Sequence, residues 1–293
     1  MEKYFCEGRY TQEVDDGTVI IHSGPMLMSI SVSNGGKPSA YLAKEGTKKA
    51  LEILETLARF RNLITKNIRE ISLSELLPSV VQKMVLSSQK FEDPTVTPLI
   101  GVAGAGADEV AEFIFNTGKA DKVVVNNGGD IAIRLKNAET VRVGIKSDLT
   151  SKLLTHVITI TPSNMIGGVA TSGFGGRSFT RGIANAAVAI AEDATSADVA
   201  STLVANATDV ECPSVTKVLA KELYQATDIP DLWVTKKIGH LEKSQIEEAL
   251  DRGMRKAEVF QERGLILGTF LAVKDQFRIS KSIMPFVQRL SAI

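Results

Sequence analysis

The apolar residues of this chain change their spacing repeatedly, and each spacing lasts only for one short element. Residues 18–22 and 27–32 are apolar and β-branched, separated by Ser23-Gly24-Pro25 and closed by Asn34-Gly35-Gly36. That pattern reads as two strands with turns. From 43 to 66 the period becomes helical: Leu51, Leu54, Leu57, Ala58 and Phe60 form one face, with Lys48, Glu52, Glu55 and Arg59 around it. Ser72-Leu73-Ser74-Glu75 has the form of a capping box before a second helix to about residue 86. Residues 88–98 read as a loop, and the small residues 101–107 lead into a third helix through 115.

The alternation continues to the C-terminal end. Strands are expected at 122–125, 131–135, 141–145 and 156–161, with a turn at 126–130. Residues 167–182 are glycine-rich. Residues 184–191 are small and apolar, and their composition fits strand or helix. Helices are expected at 197–207, behind the N-cap residues Thr195 and Ser196, at 214–226, and at 243–263. Further strands are expected at 232–235 and 267–273, with Trp233 in the core. No repeat, linker or charge block interrupts the series. The simplest account is one α+β domain over residues 1–293, with mixed or antiparallel β-sheets and packed helices.

Composition narrows the function classes. Lys plus Arg number 34 and Asp plus Glu number 34, which argues against a general nucleic-acid binder needing a basic surplus. Cys6 and Cys212 are too few for a disulfide scaffold or a cysteine-rich zinc site. The polar first 20 residues lack a signal-peptide core, and no apolar run approaches the ~20 residues that span a bilayer. The expectation is a soluble, cytoplasmic protein without membrane contact. A symmetric homo-oligomer is the default assembly.

Four segments carry side chains suited to chemistry. In Asn126-Asn127-Gly128-Gly129-Asp130 a strand ends in two glycines and a carboxylate; it is either a tight hairpin or a place where backbone amides approach a ligand. Residues 168–178 hold Thr171, Ser172, Gly173, Gly175, Gly176, Arg177 and Ser178. They form either a surface loop or a cradle for phosphate built from amides, hydroxyls and a guanidinium. Asp198 and Thr202, at i and i+4, share one side of a helix start. They supply two hard oxygen donors suited to Mg²⁺, or Asp198 simply favours the helix dipole. Gly104-Ala105-Gly106-Ala107 resembles a dinucleotide fingerprint only loosely and reads as close helix packing. His22, His156 and His240 have no metal-ligand spacing, and no Gly-x-Ser-x-Gly elbow is present.

In this order the segments resemble the ApbE-like superfamily, best known for FAD:protein FMN transferases. The resemblance rests on Asn127-Gly128-Gly129-Asp130, Val143-Gly144-Ile145, Ala170-Thr171-Ser172-Gly173 and Ala197-Asp198 with Ser201-Thr202. It is closer still to a compact branch of that superfamily, through Val102-Ala103-Gly104-Ala105, Ser178-Phe179-Thr180-Arg181-Gly182, Asn206 and the tail from Val234 to Gly264. It reaches almost the whole chain. It implies an α+β fold with a cleft for a small-molecule flavin nucleotide, FAD or FMN, and a Mg²⁺ beside the pyrophosphate. Asp198 and Thr202 would be metal ligands, with the carbonyl of Ala107 as a third. Asn127 to Asp130 and Thr171 to Ser178 would line the nucleotide.

The departures bear on the reaction. Transferases carry His-x-x-Asp-Pro-x-Thr-Gly between the Thr-Ser-Gly and Ala-Asp segments, and this chain has no counterpart. Arg177 stands where compact relatives often have histidine, and Asn185 where they often have aspartate. The resemblance thus implies nucleotide binding with the reaction unassigned; flavin transfer and FAD pyrophosphate cleavage are the enzymatic versions. The alternative is a non-catalytic accessory protein with a protein partner, in sulfur, homocysteine or redox-enzyme metabolism.

Overall fold

A computed structural model describes residues 9–14, 17–72, 76–136 and 138–290. The chain there begins with β1 (Arg9–Glu13), β2 (Val19–Ser23) and β3 (Met26–Asn34), and β4 (Lys37–Pro38) folds back on β3. Four helices follow: α1 (Ala40–Arg59), α2 (Arg61–Ile64), α3 (Ser79–Lys90) and α4 (Val102–Phe115). The chain then forms β5 (Lys122–Asn127), β6 (Asp130–Leu135), β7 (Val141–Ile145), β8 (His156–Ile160), β9 (Gly168–Ser172) and β10 (Ala186–Ala191). Helix α5 (Ala194–Ala207) is followed by β11 (Val215–Leu219), α6 (Ala220–Leu223), β12 (Trp233–Ile238) and α7 (Lys243–Glu262). Strands β13 (Gly268–Val273), β14 (Gln276–Ile279) and β15 (Val287–Arg289) complete the series.

A ten-stranded antiparallel sheet organises the molecule in the order β1-β2-β3-β5-β6-β9-β10-β13-β14, with β4 beside β3. Its two faces bury different cores. On β10, Ala187, Ala189 and Ala191 join Ala107, Ala197, Val204 and Leu250 in the helical layer. Val188 and Ile190 point the other way, to Ile158, Ile160 and Phe270 under the small sheet β15-β8-β7. A strand covered on both faces has no polar side. For that reason the apolar run at 184–191 shows no alternation to distinguish strand from helix. The α+β class, the antiparallel sheet and the packed helices agree with expectation. No helix among the described residues is long and apolar enough to cross a membrane.

Residues 214–226 do not form the expected helix. Val215–Leu219 is a strand paired antiparallel with β12, and only Ala220–Leu223 is helical. The β-branched residues Val215, Thr216 and Val218 favour that pairing. Trp233, expected in the core, is 57% exposed on the same hairpin. Helix α5 starts at Ala194, earlier than the N-cap pair at 195 and 196 suggested; its cap is Asp193, whose Oδ1 accepts the Ser196 N–H at 2.6 Å. In the capping box at 72–75, residues 73–75 lie outside the described residues, as does Cys6, and α3 begins only after Pro78. His156 is buried between the rings of Phe270 and Phe277, each 4.8 Å away, and burial holds its pKa below the ordinary value, with Arg289 adding to the effect.

Small residues bring α4 and α5 into unusually close contact. A Cβ on Gly104 would collide with the carbonyl oxygen of Ala194 and lie 2.9 Å from Cβ of Asp198. Backbone atoms cannot rotate out of the way. Gly104→Ala should therefore cost at least about 1–3 kcal/mol of stability by forcing the helices apart. Gly106→Ala makes the contrast, because its nearest neighbour is Nδ2 of Asn127 at 3.4 Å. There the gain in helix propensity of about 0.5–1 kcal/mol offsets the contact. Urea unfolding of the two variants checks the difference, and equal midpoints would contradict it.

Candidate functional site

One edge of the α4–α5 contact opens into a cavity of about 300 Å³. Its floor and walls come from distant parts of the chain. The β5–β6 turn supplies Asn127, Gly128 and Asp130; the end of β9 and its following loop supply Thr171, Ser172, Gly176, Arg177 and Ser178. Helix α5 supplies Asp198 and Thr202, and the first turns of α4 supply Val102, Ala103 and Gly106. Ile53, Leu54 and Leu57 of α1 form an apolar wall beside Pro25 and Met26. The turn near 128, the loop near 175 and the helix at 198 therefore share one pocket.

Hydrogen bonds link these pieces into a ring. Asp130 faces Asn127 across the β5–β6 turn. Asn127 donates Nδ2 to the Ala103 carbonyl at 3.1 Å, and the next amide, of Gly104, donates to Asp198 Oδ2 at 2.9 Å. One helical turn along α5, Thr202 lies 3.3 Å from the Ser172 hydroxyl. The Thr171 amide donates to the Asp130 carboxylate and closes the circuit.

Most of the residues expected to line a nucleotide, and both expected side-chain metal ligands, thus border the cavity. Three glycines of the expected set do not. Gly129 completes the turn, with its amide bonded to Asn126 Oδ1 at 2.9 Å. Gly173 abuts the carbonyls of Ala184 and Asn185, and Gly175 faces Thr150. Ala107, the expected third ligand, is fully buried one residue beyond the lining Gly106.

The electrostatics of the ring are unusual. Burial pushes the Asp130 carboxyl up to about 7, against the opposing pull of the Thr171 amide and the Arg177 charge. Asp198, 8% exposed, is also raised well above the ordinary carboxylate range, first by burial and then by the charge of Asp130. The Gly104 and Ala103 amides oppose that rise. Two desolvated carboxylates thus share one small cavity, where ionising either opposes ionising the other.

A further aspartate, not singled out from the sequence, supports these two. Asp108 on α4 is fully buried. Its Oδ1 accepts the Ala194 amide at 3.1 Å and Arg134 Nη2 at 2.9 Å. Its Oδ2 accepts the Thr195 amide at 2.8 Å and the Thr195 hydroxyl at 2.7 Å. Asp108 and Asp193 together satisfy free amides at the start of α5, and so fix the helix that carries Asp198 and Thr202. The one available signal was an acid placed directly after the small residues Gly104-Ala105-Gly106-Ala107. Asn185 serves the structure as well, since its Oδ1 accepts the Lys274 amide at 2.6 Å and ties the start of β10 to the β13–β14 turn.

The family model described as AbpE bacteria matches residues 11–279. The chain belongs to this family. A UPF0280 protein of Methanothrix thermoacetophila is 37% identical over 131 residues, 44% of this chain and 52% of that protein. A UPF0280 protein of Methanococcoides burtonii is 31% identical over 170 residues, 58% of this chain and 69% of that protein. The chain therefore spans about half the length of the first of these relatives. Among solved structures, the flavin transferase ApbE from Vibrio cholerae superposes with a TM-score of 0.50 at 14% identity, over 94% of this chain and 100% of that one. The ApbE protein of Thermotoga maritima gives 0.50 at 13%, over 95% and 99%. At such identities the likeness is one of fold.

Proposed function

We propose that this protein is a cytoplasmic binder of a flavin nucleotide, FAD or FMN, held with Mg²⁺ in the cavity between α4, α5 and the β5–β6 turn. The observation that carries the reading is the mixed lining of that cavity. Ile53, Leu54 and Leu57 offer an apolar wall for a planar ring system, and the rest of the lining holds amides, hydroxyls, two carboxylates and Arg177. A flavin nucleotide carries the same two kinds of surface, an aromatic ring system and phosphate. The fold shared with flavin transferases supports this reading.

The donor set suits a hard divalent cation. Asp198 and Thr202 contribute a carboxylate and a hydroxyl from successive turns of α5, and Asp130 faces the same space. The mutual opposition of the two carboxylates is relieved by a cation between them. Such a cation, when bound, neutralises phosphate oxygens and stabilises charge on a leaving phosphate. The protein residues orient the nucleotide: Asn127 is fixed by the Ala103 carbonyl, and Ser172 lies beside Thr202. No histidine, lysine or cysteine lines the cavity among the described residues. A proton acceptor for flavin transfer would have to come from the carboxylates or the acceptor itself, so the reaction is left unassigned.

The pH dependence has a definite sign. In the unfolded chain both aspartates ionise near pH ~4. In the metal-free folded protein, Asp130 holds its proton to about pH 7, and Asp198 is raised as well. The folded state binds more protons between these values. The pair's contribution to stability is therefore greatest below about pH 4 and is lost as pH rises through about 7. Relative to wild type, Asp130→Asn should melt higher at pH ~8 than at pH ~5. Adding millimolar Mg²⁺ at the higher pH should raise the wild-type melting temperature more than that of the variant. Parallel melting curves at both pH values would contradict this. Calorimetry with FAD, FMN and ADP, with and without Mg²⁺, tests the functional reading itself: binding that tightens with the metal supports it, and no heat at high micromolar nucleotide removes it.

A further inference from the structure

The rim of the cavity is crossed by the side chain of Arg177. It rises from the loop after β9, donates Nη2 to the carbonyl of Pro25 in the β2–β3 turn, and lays its guanidinium over Gly128. A Cβ on Gly128 would collide with Nη1, so the side chain occupies the space that this glycine leaves open. Gly128 also has φ of 72°, a conformation other residues adopt at a cost. Pro25, Gly128 and Arg177 are exposed, whereas Asn127, Ser172 and Asp198 beneath them are buried. The guanidinium therefore sits over the opening and not on the floor.

Its charge acts on Asp130, while its hydrogen bond goes elsewhere. Arg177 is the cationic side chain among the described residues that line the cavity, and its hydrogen-bond acceptor is a neutral carbonyl. A phosphate oxygen makes a bond roughly twice as strong as a neutral acceptor does, and the planar guanidinium can hold two such oxygens at once. The other ionisable groups lining the cavity, Asp130 and Asp198, are carboxyls, so the protein's own cationic partner for an anion there is Arg177. We propose that Arg177 is a strap that exchanges the Pro25 carbonyl for a phosphate of the ligand, and so selects phosphorylated flavins over neutral ones. This inference rests on the flavin-nucleotide reading above. Arg177 acts by binding and discrimination, and no bond to it is made or broken in a reaction.

The test is calorimetric titration of the full chain with riboflavin, FMN and FAD at fixed Mg²⁺, using wild type, Arg177→Ala and Arg177→Lys. The wild type should bind FMN or FAD at least about tenfold more tightly than riboflavin, as a charged hydrogen bond implies. Arg177→Ala should reduce that preference at least about fivefold, the remainder being the metal's share, and leave riboflavin affinity within about twofold, while Arg177→Lys restores part of it. The comparison of FMN with FAD tells whether a terminal phosphate or a pyrophosphate is held. A matching loss for all three ligands would show a structural role and overturn the inference, as would an unchanged preference in Arg177→Ala. Wild type that binds riboflavin as tightly as FMN and FAD overturns the strap and leaves the flavin reading standing. Wild type that binds none of the three removes both.

Discussion

Asp108→Ala should destabilise the protein by about 3–5 kcal/mol, the usual cost of removing one member of a buried ion pair. Three effects combine at this position. Arg134 loses its buried partner and keeps only Glu112, at 3.0 Å, with the carbonyls of Ile133 and Gly167. The Ala194 and Thr195 amides lose their acceptor at the start of α5, and the Thr195 hydroxyl loses its own. A void is left in a fully buried position. Asp108→Asn separates these effects: it keeps the volume and one acceptor oxygen but loses the charge opposite Arg134. Urea unfolding should place Asn between wild type and Ala. A loss below about 1 kcal/mol for Ala would place Asp108 among ordinary surface contacts and contradict the network.

Asp198→Asn should have the opposite profile. The amide oxygen still accepts from Gly104, so the α4–α5 contact is kept. Removal of a desolvated negative charge also relieves Asp130. The metal-free variant should melt no lower than wild type at pH ~8. Nucleotide affinity in the presence of Mg²⁺ should nevertheless fall by at least about 10–100-fold, because even groups that only orient metal ligands contribute that much. Gain of stability with loss of binding is the mark of a site residue held in an unfavourable state for function. Calorimetry and thermal melting on the same preparation check both halves. An affinity equal to wild type would remove Asp198 from the metal site.

The parts of this fold that could be read from sequence are those where one neighbourhood decides the outcome. Helices α1 and α7 carry apolar positions at helical spacing against solvent. The β5–β6 hairpin has Gly128-Gly129 at its turn. Strand β10 could not be assigned, because burial on both faces removed its period. Residues 214–226 form a strand and one short helical turn because Val215, Thr216 and Val218 already favour the pairing of β11 with β12. The site shows the same division. The shared side of Asp198 and Thr202 follows from their i, i+4 spacing on one helix, and the turn of Asn127 to Asp130 from its glycines. Asp108 and the apolar wall of α1 were not, because their parts in the site depend on contacts across the fold. The link from Arg177 to Pro25 spans 152 positions and left no trace in the sequence.

The most direct measurement is diffraction from crystals grown with FAD and Mn²⁺, using the anomalous signal of manganese. A manganese peak is expected between Asp198, Thr202 and Asp130, with flavin nucleotide density against Ile53, Leu54 and Leu57. Density for the nucleotide elsewhere, or a clear cavity with no manganese at saturating ligand, would contradict it.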